Sequence, residues 1–433
     1  MSGKAILVLV IGFSTIFLLR GKGFFNVSRN STINMVENIS SSKALEIARS
    51  ATEVIVSHYW QNPDDVDLIG SSKIFFNNVQ FDDGKVTSTI NVDPSEPNMY
   101  KITTISTFGD ISKTVVVLYG PQKLTEMASF SVWGGDIWWT GADTVKGAVY
   151  CENEIQVYNH PTFLDKVFTN ESDFDYYGDK DDHYPNLDPS KLSFNTELKR
   201  ADNAMDEITD EAIAGGWYLW GNKGDWYDPP ADTMFIDIRG ADMDVKFSEN
   251  DSPTTYNIAT KVPNKVLCAD NYVVRVKGEL DGQLLIACSG DNSLGKGKIL
   301  LDDDVVYKDD PRAGPSDDLL GLVADGLIEV ADTPPNQSDI DIQAAIYSSW
   351  GGLTAENAET RTDAGTINFF GSLIEYERKA VGKFDPDTGA LWGFGRNYDY
   401  DERLKTIAPP SFPELQGFNV LAWYEGKTAE ALP

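Results

Sequence analysis

The 433-residue sequence predicts a mainly β protein with a long N-terminal α-helix. Residues 5–19 form an uncharged apolar run that leads into a segment with helical periodicity. Residues 73–119 contain four short β-rich runs, and residues 130–384 repeat short apolar runs between Gly, Asn and Asp. We expect a helix with an antiparallel meander, followed by a parallel β-helix-like domain. A β-sandwich is the alternative for the last part.

The apolar run reads AILVLVIGFSTIFLL and would form the first part of the helix. Fifteen helical residues span about 22 Å, which is less than the roughly 30 Å of a bilayer core. Three interpretations are open: a cleaved secretory signal, a simple membrane anchor, and a stem that lies first in the membrane and later in a filament core.

The apolar periodicity continues to Tyr59 and predicts an amphipathic helix from Ile33 onwards. Ser40 to Ser42 would cap its second half, and Gly21 and Gly23 would let the chain bend before it. Proline disfavours the helical region in the preceding residue, so Asn62-Pro63 should end the helix. We assign residues 1–62 to this helical stem.

Hairpin signals organise residues 63–121 into a meander. The four β-rich runs are separated by Asp-Asp-Gly at 82–84, a loop at 94–98 and Gly109-Asp110. We predict a four-stranded antiparallel sheet directly after the helix.

This order of apolar helix, amphipathic continuation and β-sheet head resembles type IV pilin-like proteins, and PilX-like minor pilins are the nearer comparison. The resemblance implies processing after Gly3, insertion in the inner membrane, and transfer by the pilus assembly machinery into a homo-oligomeric filament. It implies that the N-terminal helices hold the filament together through Ala5, Ile6, Leu7, Val8, Leu9, Val10, Ile11, Phe13, Ile16, Phe17, Leu18 and Leu19.

Residues 122–390 repeat an apolar pair followed by a turn. The gaps are too short for crossover helices, so parallel strands require a chain coiled into stacked rungs. We expect residues 391–433 to form an extended C-terminal cap. Six segments resemble, in order, bacterial surface proteins with pilus-assembly-type N-termini and long β-rich ectodomains: 143–167, 299–312, 317–332, 339–348, 365–385 and 400–414.

Composition excludes several functional classes. The chain has 67 acidic and 36 basic residues and a net charge of −31. This argues against a nucleic-acid partner, because phosphate neutralisation requires a surplus of Lys and Arg. Residues 1–62 carry six basic and three acidic residues, so the remainder of the chain carries −34. Three Cys and three His leave little room for a disulfide framework or histidine metal chemistry.

Two acidic clusters are candidates for chemistry. The loop at 173–182 alternates acids in a pattern that suits calcium, with Asp173, Asp175, Asp179, Asp181 and Asp182 as ligands. The cluster at 302–310 would suit calcium or glycan chemistry, or else a solvated turn. Trp-rich segments at 132–141 and 215–227 predict an interface, a core or a sugar platform.

Cys268 and Cys288 lie twenty residues apart, which is close to one short rung. We expect them to stack on adjacent rungs about 4.8 Å apart, as thiols or as a disulfide, unless they are unrelated buried residues.

Together these observations predict a non-enzymatic pilin: a structural protein of an extracellular type IV pilus-like filament, or fimbrium, on the cell surface. Its acidic β domain would form the outer surface. One alternative is a membrane-anchored β-helix that binds or degrades polysaccharide; an enzyme of this kind requires acids that converge in one groove. The other is a singly displayed adhesin, a protein of cell adhesion. No cofactor is certain, and calcium is the candidate.

Overall fold

A computed structural model describes residues 3–62, 65, 69–92, 99–200, 203–221, 232–384 and 391–426. Side chains are described within these ranges except at residues 3–9, 384 and 417–419. The chain divides into two compact units, residues 1–122 with 417–433, and residues 123–416. The fold is mainly β, with 46% strand and 24% helix, as predicted.

The described ranges contain four α-helices: α1 (Gly3–Gln61), α2 (Lys180–His183), α3 (Ala204–Gly215) and α4 (Ile258–Lys261). Their strands are, in chain order, β1 (Ser72–Phe81), β2 (Gly84–Val92), β3 (Tyr100–Phe108), β4 (Ile111–Lys123), β5 (Met127–Trp133), β6 (Trp139–Thr140), β7 (Thr144–Val145), β8 (Ala148–Cys151), β9 (Gln156–Tyr158), β10 (Thr162–Phe163), β11 (Val167–Thr169), β12 (Asp175–Tyr176), β13 (Leu192–Ser193), β14 (Trp217–Trp220), β15 (Asp232–Gly240), β16 (Asp242–Lys246), β17 (Thr254–Asn257), β18 (Val266–Asp270), β19 (Tyr272–Leu280), β20 (Gln283–Ser289), β21 (Lys298–Tyr307), β22 (Leu319–Ala324), β23 (Ile328–Val330), β24 (Ile340–Ser348), β25 (Leu353–Ala355), β26 (Thr366–Glu377), β27 (Gly382–Phe384), β28 (Leu391–Gly393), β29 (Gly395–Tyr400) and β30 (Glu414–Gly426).

In the first unit, the helix α1 packs on an antiparallel meander. Strands β1 to β4 pair in chain order, and β30 adds a fifth strand beside β4. Arg49 Nε and Nη2 each donate a hydrogen bond to the Glu425 carboxylate at 2.7 Å, which joins the last strand to the helix. The predicted cap at 391–433 is therefore wrong: its last strand belongs to the meander sheet, and β29 belongs to the parallel coil described below.

Only the second half of α1 contacts this sheet. Its apolar residues recur at helical spacing and so form one buried side. These buried residues are Ala44, Ile47, Ala48, Ala51, Ile55 and Tyr59. Every residue from Val10 to Ile39 is exposed.

The helix is continuous from Gly3 to Gln61. Gly21 and Gly23 lie inside this continuous helix. Ser40 to Ser42 also lie mid-helix, so the predicted local cap is wrong. The helix ends one residue before Asn62, as predicted; Pro63 lies outside the described residues.

The second unit is a coil of parallel strands. Its longest sheet has the order β14, β18, β20, β22, β24, β26, β5, β8, β11, β13, and every neighbouring pair is parallel. A second face pairs β15, β19, β21, β23 and β25 in parallel, and a third pairs β24, β26 and β29. The predicted β-helix-like domain is confirmed.

The longest sheet is buried on both faces. Its inner side chains fill the coil, while its outer side chains pack under α3 and the segment after β29, including Ile208, Leu404 and Phe412. Burial on both faces explains why strands such as β20 and β22 are nearly continuous apolar runs rather than alternating ones.

In the longest sheet, neighbouring strands follow one another along the chain except where β26 pairs in parallel with β5. We call this pairing the junction. The chain first builds β5, β8, β11 and β13, and then restarts at β14 and builds back to β26. Ile374 pairs with Phe130 across the junction. Ser372 Oγ donates to the Met127 carbonyl at 2.6 Å, and Tyr400 Oη donates to the Thr125 carbonyl at 2.8 Å.

The junction predicts a large stability effect. Ile374 is fully buried in the outer core, so Ile374→Ala should lower the free energy of unfolding by about 2–5 kcal/mol. The measurement is denaturant unfolding of the full chain in detergent, followed by tryptophan fluorescence. Ile407→Ala is the control, because Ile407 is 39% exposed. Equal effects of the two substitutions would contradict the structural role of the junction.

Candidate functional site

The first candidate site is the exposed part of α1, which we call the stem (Val10–Ile39). Within the predicted assembly set, Phe17, Leu18 and Leu19 are 73%, 74% and 66% exposed. Val10, Ile11, Phe13 and Ile16 are also exposed, so apolar side chains occupy all sides of the helix. The side chains of Ala5, Ile6, Leu7, Val8 and Leu9 lie outside the described residues, and Gly3 is the first residue of α1.

The exposed apolar surface extends beyond the predicted set. Phe24 and Phe25 are 76% and 68% exposed, and exposed Val27, Met35 and Val36 continue the surface. The predicted set ends at Leu19 because Arg20, Gly21, Lys22 and Gly23 interrupt the apolar run before Phe24. By length and composition, α1 is a helix that could cross a membrane.

The predicted calcium ligands at 173–182 have separate partners. Asp173 accepts hydrogen bonds from Lys180 Nζ at 2.5 Å and Tyr176 Oη at 2.9 Å. Asp175 accepts from Gln156, and Asp179 caps α2, which contains Asp181 and Asp182. Within the described ranges, no three acidic, His or Cys residues come together to hold a metal ion. Calcium binding stays a prediction, without a formed coordination sphere at this loop.

In the second cluster, at 302–310, Asp302 lines a surface groove. Asp302 lies 2.6 Å from Arg275, beside Asp237 and Asp244 in a groove of about 540 Å³. Arg239 pairs with both Asp237, at 3.0 Å, and Asp244, at 3.1 Å. Each of these three carboxylates has an arginine partner, which is the arrangement of a structural ion-pair network.

The predicted cysteine stack is wrong by one residue. Cys268 pairs in register with Ala287, and Cys288 pairs with Ala269. Because side chains alternate along a strand, a one-residue shift places the two thiols on opposite faces of the sheet. Cys268 lies in the outer core and Cys288 in the inner core, and both thiols are free.

A second candidate site lies inside the coil at the junction, where a cavity of about 240 Å³ interrupts the inner core. Two rows of inner residues, one residue from each strand, show its origin. The first row is aliphatic except at Ser129: Leu267, Ile286, Leu322, Ile346, Leu373, Ser129, Val149, Val167 and Leu192. The second row is small except at Glu375: Ala269, Cys288, Ala324, Ser348, Glu375, Ser131, Cys151 and Thr169.

Ser129 and Glu375 therefore introduce space and charge where the other rungs have neither. Glu375 is 2% exposed, and its Oε1 accepts a hydrogen bond from the Leu353 amide at 2.7 Å. Burial raises the pKa of Glu375 to about 7, although this hydrogen bond and nearby Arg378 oppose the shift.

Arg378 lines the same cavity and is 8% exposed. Its Nη1 donates to the Ile137 carbonyl at 3.0 Å, and its guanidinium carbon lies 4.0 Å from the centre of the Trp139 ring. Burial lowers the pKa of Arg378 to about 10. Neither residue was predicted from the sequence. The one local signal is an acid within the apolar run GTINFFGSLIEYERK, and the sequence does not show that it points inward.

No protein-family model matches the chain, and a search of the curated proteins finds no match. Among solved structures, the chain is similar to the competence-associated pilin ComZ from Thermus thermophilus, with 11% identity and a TM-score of 0.37. The match covers 90% of this chain and 97% of that chain. A likeness at this level transfers no property of ComZ to this protein.

Glu375 should make stability depend on pH. Its folded pKa of about 7 lies above the ordinary value of 4.5, so the folded state holds this proton more tightly. The free energy of unfolding should therefore fall between pH 4.5 and pH 7, by on the order of 3 kcal/mol. Glu375→Gln should remove this fall, whereas Glu402→Gln at an exposed position should not. The test is denaturant unfolding at pH 5 and pH 8, and parallel changes in wild type and Glu375→Gln would contradict it.

Proposed function

We propose that this protein is a structural subunit of an extracellular type IV pilus-like filament, assembled through its stem. The observation that carries the proposal is the exposure of the stem. Fourteen large apolar side chains between Val10 and Ile39 are exposed. Burying such a side chain is worth about 1.5–3 kcal/mol, so leaving all fourteen in water costs on the order of 20–40 kcal/mol.

A membrane covers only part of this surface. The uncharged run ends at Leu19, and Arg20 and Lys22 follow it, so a membrane-inserted helix would place its hydrocarbon boundary near Arg20. Phe24, Phe25 and the apolar residues up to Ile39 would then remain in water. The stems of neighbouring copies supply the missing apolar partner in a filament.

The charge distribution fits the same assembly. Residues 1–62 have a net charge of +3 and the rest of the chain −34, so an arrangement with stems inside and acidic β domains outside keeps the carboxylates solvated. Repulsion between neighbouring β domains is screened by salt. In this proposal, the subunit is inserted in the inner membrane before assembly, and the pilus assembly machinery transfers it into the filament.

Phe24→Asp tests assembly separately from membrane insertion. Phe24 is 76% exposed and lies beyond Arg20, so the variant should still reach the membrane fraction but should form no filaments by negative-stain microscopy. The matched control is Ile213→Asp, which places a charge at a 61% exposed position of α3 and should leave filaments unchanged. Wild-type filaments from Phe24→Asp would contradict the proposed stem contact and leave a singly displayed adhesin as the better explanation.

Removal of residues 1–27 should give a soluble monomer, because the buried helix residues begin only at Ala44. The measurement is light scattering of the purified truncated chain. Polymers of this truncated chain would show that residues 1–27 are not required for assembly and would contradict the proposal.

Processing after Gly3 predicts a defined N-terminus. Sequencing of filament protein should give a ladder that begins at Lys4. A ladder that begins beyond Leu19 would indicate a cleaved secretory signal and would overturn the proposed role of the stem.

A further inference from the structure

The cavity at the junction contains a buried cation without a carboxylate partner. Arg378 uses one of its five N–H donors on the Ile137 carbonyl. Its remaining interactions with acids among the described residues are through space, from Glu375 and Asp143, and no acid there lies within ion-pair distance. Buried arginines are normally paired, so the free N–H groups mark a position for an oxygen-bearing anion.

The other cations of the cavity are already matched. Arg396 lies 3.7 Å from Asp143, Lys146 lies 2.9 Å from Asp399, and Lys379 lies 2.6 Å from Glu377. These pairs leave Arg378 as the cation available to a ligand among the described cavity residues. Arg396 and Asn397, which are exposed, also line the cavity.

Part of the cavity lining is apolar or aromatic. Leu353, Phe369, Leu373 and Tyr398 form this part, and the rings of Phe369 and Tyr398 meet edge to face at 5.5 Å. The volume of about 240 Å³ corresponds to roughly eight waters at about 30 Å³ each. A molecule of about nine non-hydrogen atoms, with one charged end and one apolar end, matches this space.

We propose that the cavity binds a small organic monocarboxylate with an apolar body of about the size of benzoate. The carboxylate accepts hydrogen bonds from the free N–H groups of Arg378, and the apolar body contacts Phe369 and Leu373. All residues of this site lie in the second unit.

Glu375 sets the pH dependence of this binding. A protonated Glu375 carries no charge and can donate a hydrogen bond to the ligand, whereas an ionised one repels it. The charged or titratable groups that interact with Glu375, Arg378 or both are Arg378, Lys379, Arg396, Tyr398, Asp143 and Cys151. Lys146 and Asp399 also line the cavity and pair with each other. Since the pKa of Glu375 is about 7, its protonated fraction falls about tenfold between pH 6 and pH 8.

The experiment is a ¹⁹F NMR titration of 4-fluorobenzoate into the full chain in detergent micelles at pH 6 and pH 8. Wild type should bind at pH 6 and about tenfold more weakly at pH 8. Glu375→Gln should bind equally at both pH values, and thus about tenfold more tightly than wild type at pH 8. A misfolded variant cannot produce that gain.

Further variants and probes test the anion contact. Arg378→Gln in the same micelles should lose binding, whereas Arg239→Gln, in the separate surface groove, should retain it. Neutral 4-fluorobenzamide and inorganic phosphate should bind at least tenfold more weakly than 4-fluorobenzoate. Equal binding of the amide, equal binding of phosphate, no binding by wild type at pH 6, or no gain in Glu375→Gln would each overturn the proposal.

Discussion

The pairing of β26 with β5 is the constraint on which the second unit depends. The hydrogen bond from Ser372 to Met127 joins residues 245 positions apart. The same pairing makes one sheet from two sets of strands that lie far apart in the sequence. Closing so long a loop costs entropy that grows only slowly with its length. The burial of Phe130 and Ile374 on one continuous outer core offsets that cost.

The cavity that interrupts the regular inner core lies at this same junction, and the pairing of distant segments explains both features. Elsewhere, inner side chains at paired positions of successive rungs have similar sizes, because successive rungs have the same geometry. At the junction, two chain segments that are unrelated in sequence must meet, and Ser129 beside Leu373 leaves space there. Charged pairs such as Arg396 with Asp143 then bridge the two segments around this space. A cavity with polar walls is thus a consequence of the way the coil is closed.

Local signals in the sequence predicted the helix and the hairpin strands. The register between strands and the pairing of strands distant in sequence could not be predicted from such signals. Asn62-Pro63 and the hairpin turns act within a few residues, so the helix end and the meander followed from them. The spacing of Cys268 and Cys288 approximated the length of a rung but missed the register by one residue, which is enough to reverse a face. The placement of β30 beside β4 has no local signal, because a strand's partner is chosen by tertiary contacts. Glu375 was missed for the same reason: its inward position is defined only by its neighbours in the coil.

The glycines of the stem do not interrupt the helix, and they suit the assembly proposed above. Gly12, Gly21 and Gly23 have no neighbouring atom within 4 Å of where a side chain would start, so nothing in the monomer requires them. Glycine inside a helix is unfavourable by about 1 kcal/mol relative to alanine, yet α1 is continuous through all three. In an apolar environment, backbone groups need internal hydrogen bonds, which keeps such a segment helical. Small residues then allow neighbouring helices to approach closely. Gly21 and Gly23 stand directly before Phe24 and Phe25, so close approach at the glycines would bring those exposed rings against an adjacent stem.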